Sequence, residues 1–180
     1  MATNVQATPQ AAQHSKLREF FMAQLRDIYW AEQKLVKTLP KLSDAANSEA
    51  LRGAFDSHLT ETKNHVSRLE RVFDMMGEKA RAEECPAMKG IVEEGEDIID
   101  ETDDNTSQRD VGLIFAGQKA EHYEIASYGA LRQLALDMGQ DEIADVLGQT
   151  LSEEKAADRK LTELAEGGIN RMALEEPEED

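Results

Sequence analysis

The chain has a single cysteine, Cys85, so no intramolecular disulfide is available, and a reducing, cytoplasmic setting is expected. Aromatic residues are scarce at 5%, and only four prolines and eleven glycines interrupt 180 residues. Alternating Val/Ile/Thr/Tyr runs bounded by turn pairs are missing, which removes the usual signature of strands. No apolar run approaches the ~20 residues that span a bilayer as a helix. The opening MATNVQATPQAAQHS lacks the basic start and apolar centre of a secretory signal. Positive charge is short as well: 20 Lys and Arg face 37 Asp and Glu, for a net −17 at pH 7. Such a surface repels phosphate and gains nothing from counterion release, which argues against nucleic acid or an anionic membrane as partner.

What the chain does have is Ala, Leu, Glu, Lys, Gln and Arg, the strong helix formers, and the fold class is read as all-α. Four long helical patterns are expected: about Lys16 to Leu39, ended or bent by Pro40; Ser48, as N-cap, to Met76; about Asp110 to Met138; and about Asp141 to Glu166, stopped by Gly167 and Gly168. The first two patterns, and again the last two, are separated by only a few residues, which predicts two antiparallel hairpins. A long crossover, about 78–109, lies between them and carries a short amphipathic piece around Ile91 to Ile99. That connectivity is the one found in ferritin-like four-helix bundles. The expected organisation is a disordered segment over 1–14, the bundle over 15–168, and an acidic tail over 169–180. A weak internal repeat agrees with two hairpins: a shift of 92 positions lays Glu32 on Glu124 and Glu61 on Glu153, along with several leucine pairs.

Acids interrupt the apolar stripe of every long helix near mid-length. Glu32 stands among Leu25, Ile28, Leu35 and Leu39. The stretch HLTETKNHVSRLERVF (58–73) places His58, Glu61, Thr62 and His65 upstream of Leu69, Val72 and Phe73. The third helix offers Glu121 with Glu124, and the fourth offers Glu153, Glu154 and Asp158. A charge in a bundle core is strongly unfavourable unless it is paired or bound to metal. No Lys or Arg is clearly placed on these stripes to pair with them. Two divalent cations would neutralise the acids with carboxylate and imidazole ligands, and residues three or four apart reach one centre together. Glu61 with His65, Glu121 with Glu124, and Glu154 with Asp158 have that spacing. The site is therefore read as dinuclear, with Glu32, Glu61, His65, Glu121, Glu124, Glu153, Glu154 and Asp158 as candidate ligands. Whether His58 or His65, and whether Glu153 or Glu154, is the ligand stays open.

The segments LRDIYWAEQKLVKTLPKL, HLTETKNHVSRLERVF, AEHYEIASYGALRQLA and LSEEKAADRKLTELA resemble the four helices of the YciE/YciF-type ferritin-like proteins. The likeness covers about 15–168. It implies a bacterial, stress-related protein that assembles as a homodimer or higher homo-oligomer. The wider ferritin-like superfamily implies Glu on the first helix, matched by Glu32, and its rubrerythrin branch implies Glu-x-x-Glu on the third, matched by Glu121 and Glu124. The second helix departs from the superfamily's Glu-x-x-His, and the fourth has no histidine. Carboxylate-rich ligation of this kind suits Fe or Mn. The implied chemistry is then reaction with dioxygen or peroxide, including ferrous oxidation. The competing expectation is a non-enzymatic helical protein that works by binding other proteins.

Overall fold

The computed structural model describes residues 15–177; the segment expected to be disordered, 1–14, and the last three residues of the expected tail lie outside them. Six α-helices make up the described chain: α1 (Lys16–Ala45), α2 (Glu49–Met75), α3 (Pro86–Glu101), α4 (Ser107–Asp137), α5 (Asp141–Leu164) and α6 (Asn170–Glu175). No strand occurs among the described residues. α1 pairs with α2 and α4 with α5 as hairpins; α2 against α5 and α1 against α4 close the four-helix bundle. α3, the crossover helix, packs on α4 and α1.

Local chemistry explains most helix ends. Ser15, Ser48 and Thr106 each turn a side-chain oxygen to a backbone N–H of the first turn that follows, at Arg18, Leu51 and Arg109. Gly77 and Gly139 follow α2 and α4 with φ of 73° and 71°, the left-handed conformation that terminates helices. α4 begins earlier than the expected Asp110. That aspartate instead accepts hydrogen bonds from the backbone N–H groups of Asn47 (2.7 Å) and Ser48 (2.8 Å), tying the start of α2 to α4.

Two expectations are corrected. Pro40 does not end the first helix, which continues through it to Ala45. Proline inside a helix costs about 3 kcal/mol. The turns beyond it are held by buried Leu42 and Ala46 and by Ser43, whose hydroxyl donates to Asp56 at 2.7 Å, so packing outweighs the local penalty. The segment after Gly167 and Gly168 is not only an acidic tail. A wide turn spans Ala165–Ile169, where Gly168 has φ 141°, and α6 follows. Glu176 then accepts from the backbone N–H groups of Ser107 and Gln108, fastening this end of the chain to the N-terminus of α4.

The core of Phe21, Leu25, Ile28, Leu51, Phe73, Leu113, Leu131, Ile143 and Leu147 runs through the bundle. α4 is the most enclosed helix, being covered by α1, α3 and α5. Its contact with α3 requires Gly112: a Cβ there would lie 2.5 Å from Ile98 Cγ2. The Ile98 side chain fills the space that a side chain at 112 would need. The acids of α4 that follow, Glu121 and Glu124, are buried.

Candidate metal centre

Midway along the bundle the hydrocarbon core gives way to a polar layer. α1 supplies Glu32, α2 supplies His58, Thr62 and His65, α4 supplies Glu121, Glu124 and Tyr128, and α5 supplies Thr150 and Glu154. All are buried. The two histidines are seven residues apart, two helical turns on one stripe of α2, with ring centroids 6.2 Å apart. Thr62, between them, returns its hydroxyl to the His58 carbonyl at 2.8 Å and so competes for neither imidazole.

The ligand atoms fall into two groups sharing Glu154. His58, Glu121, Glu124 and Glu154 form one; Glu32, His65 and Glu154 form the other; in each, atoms from all members lie within 4.8 Å of one another. His58 Nε2 stands 3.2 Å from Glu121 Oε1 and 3.8 Å from Glu154 Oε2. His65 Nδ1 stands 3.0 Å from Glu154 Oε1 and 3.4 Å from Glu32 Oε1, yet at angles that give it no hydrogen bond. Tyr128 donates a hydrogen bond to Glu32.

The electrostatics of the bare residues are unfavourable. Burial pushes the Glu32, Glu121 and Glu124 carboxyls up, and neighbouring carboxylates, Glu154 foremost, add to it. Burial opposes protonation of both histidines, but the acids prevail. Glu121, Glu61 and Glu154 hold His58 at about 9, and Glu154 with Glu32 holds His65 at about 11. Even so, the cluster is not satisfied. Seven buried side-chain atoms among the described residues have no hydrogen-bond partner, and they belong to five residues: Glu32, His65, Glu121, Glu124 and Glu154. Native interiors pair such groups, each unpaired one costing about 1–3 kcal/mol. Orphan oxygens and an orphan imidazole nitrogen, converging from four helices, are the donor set of divalent cations with a preference for hard ligands. The residues fit such ions.

The family described as "Domain of unknown function (DUF892)" matches residues 16–174. The chain belongs to this family. It is 42% identical over 158 residues to Protein YciF of Escherichia coli (strain K12), covering 87% of this chain and 95% of that protein. The crystal structure of YciF, described as a stress protein, superposes with a TM-score of 0.82 over 87% of this chain and 99% of that one. YcfI of Rhodopseudomonas palustris aligns at 35% identity with a TM-score of 0.79, over 90% and 97% of the two chains. The membership implied by the helix segments is thus shown, as is the all-helical fold. No helix among the described residues is long and apolar enough to cross a membrane.

The eight candidate ligands separate in space. Glu32, His65, Glu121, Glu124 and Glu154 converge, and His58 joins them, so both histidines left as alternatives face the centre. Glu61, Glu153 and Asp158 join neither group. Glu61 lies at the rim, its side chain 41% exposed and 3.5 Å from His58 Nδ1. Asp158 pairs outward with His122 at 3.3 Å. Glu153 is taken by Arg68, which grips both carboxylate oxygens and holds the carboxyl below its usual range. His65 Nε2 also meets Glu153, at 2.8 Å. Arg68 is the residue that sequence reasoning missed. Its signal was available, because it follows His65 by three positions and so flanks the same stripe.

Proposed function

We propose that the protein is a dinuclear metal carboxylate protein of the stress-related YciF type, holding two Fe or Mn ions and reacting with dioxygen or peroxide. The observation that carries this reading is the set of seven buried atoms on five residues that make no hydrogen bond. Glu154 belongs to both ligand groups and neither of its oxygens makes a hydrogen bond, so it could serve both ions. His58, Glu121 and Glu124 would complete one position, and Glu32 with His65 the other. Bound Fe or Mn would supply one-electron redox chemistry toward small oxidants.

The chain's own contributions follow from its contacts. With Nε2 engaged by Glu153, His65 presents Nδ1 inward, the arrangement that fixes imidazole orientation at metal sites. Tyr128 places a proton on the Glu32 side of the centre, and its own phenol is held protonated by burial and by the Glu32 carboxylate. The surrounding Leu, Ile and Phe layers keep bulk water from the Glu32–His65 side, which strengthens the charge interactions there. Replacing Glu32 and Glu124 together by Ala should abolish ferrous oxidation and peroxide consumption while helicity persists. Activity retained by the folded double variant would overturn the reading.

A further inference from the structure

The two ligand groups differ in access. Glu32, His65, Glu124 and Glu154 are fully enclosed, at 0% exposure, whereas His58 at 6% and Glu121 at 4% touch open space. Both of these line one cavity of about 370 Å³ between α2 and α5. Sites for small organic molecules span about 300–1,000 Å³ and are mostly apolar with a few polar groups. The walls here match: Ala54 and Phe55 from α2 and Ala157 and Leu161 from α5 are hydrocarbon. At the floor, Glu121 Oε2 is buried without a hydrogen-bond partner.

Besides His58 and Glu121, two further charged side chains line the cavity, and they are not equivalent. Glu61 already faces the His58 imidazole at 3.5 Å. Lys160 is exposed and has no hydrogen bond or ion pair among the described residues. Glu121 faces the same imidazole from the other side at 3.2 Å, so Lys160 is the one charged side chain of the lining with no opposite charge beside it. Alkyl walls with an unpaired ammonium at the edge suit an amphipathic anion.

We propose that this cavity binds a small monocarboxylate with an alkyl or aryl body. The carboxylate pairs with Lys160 and the body lies on the alanine walls, ending against the His58–Glu121 floor. The inference deepens the dinuclear reading and rests on it for what that floor is. It makes the His58 position the one an organic substrate reaches.

Octanoate is a suitable probe, titrated calorimetrically into the full chain after chelator treatment and again after loading with Mn²⁺, with metal content measured on the same samples. Saturable one-site binding is expected in both, with octanol binding more weakly. Gly53→Leu should abolish it. A Cβ at Gly53 meets no atom within 4 Å and leucine favours helix over glycine, so the fold is retained while the cavity is filled. Lys160→Gln should weaken octanoate about two- to fivefold, the range of an exposed ion pair, and leave octanol unchanged. Absence of saturable heat, binding unaltered by Gly53→Leu, or octanol equal to octanoate would overturn the proposal. Octanoate binding by a chain that takes up no metal would sustain the cavity and overturn the dinuclear reading alone.

Discussion

The two ligand groups are built from the same parts and end in opposite environments. The Glu32–His65 side is sealed, crossed by Tyr128 and backed by the Glu153–Arg68 pair, so its imidazole is fixed from behind. The His58–Glu121 side has only the half-exposed Glu61 behind its imidazole and opens on a cavity. A supported, closed position beside a looser, open one suggests a division of labour: one half holds, the other half exchanges. Under the proposed dinuclear reading, bound metal satisfies the buried groups that lack hydrogen bonds on both sides, and stability of the metal-free chain is given up for that capacity.

The largest break in this comparison should come at the shared residue. Glu154→Ala removes a ligand from both groups, and metal content measured on the folded variant should fall from about two equivalents to near none. His65→Ala touches one group only, so about one equivalent should remain at the open side. Next in size is the support behind His65. Glu153→Gln keeps the shape but loses the charge on Arg68 and the imidazole. It should weaken the sealed position about 10–100-fold in competitive metal titrations while sparing the open one. If both positions weakened equally, Glu153 would be a general stabiliser rather than a partner of His65.

A smaller effect concerns the protein without metal. Glu124 is wholly buried with both oxygens unpartnered, so Glu124→Met should stabilise the chelator-treated chain by about 1–3 kcal/mol in denaturant unfolding. The same variant should lose metal at the open side. Smallest is the pH effect, whose sign is fixed by the shifts. Both histidines have raised pKa values, His58 at about 9 and His65 at about 11. Their contribution to the stability of the metal-free fold is complete below the unfolded value near 6.5 and is lost as pH rises toward and beyond 9. The raised carboxyls of Glu121 and Glu124 act in the same direction from lower pH. Metal requires these groups deprotonated, so the rise in Tm on adding Mn²⁺ should grow between pH 6.5 and 9. A constant increment across that range would detach the metal from the histidines.

Sequence patterns made much of this visible, for reasons that particular residues explain. Glu32 interrupts an otherwise aliphatic stripe, and Glu121 with Glu124 share a helix face, so both were readable from the 3.6-residue period alone. The choice between Glu153 and Glu154 was not, because it depends on the rotation of α5 about its axis. That rotation is set by contacts with α2 and α4, among them Arg68, which lies far away in sequence. The internal repeat was suggestive in a different way from the one expected. Glu32 and Glu124 do occupy the centre together, whereas Glu61 and Glu153 occupy matching places outside it, each beside one histidine. Pro40 misled because local propensity was set against packing that only the folded bundle reveals.

The central claim is that the polar layer of the bundle is a dinuclear metal centre. Elemental analysis of the folded chain, purified without chelators and supplemented with Fe or Mn, tests it most directly. The account predicts about two equivalents per chain, absent from Glu154→Ala. Less than about a tenth of an equivalent would contradict it.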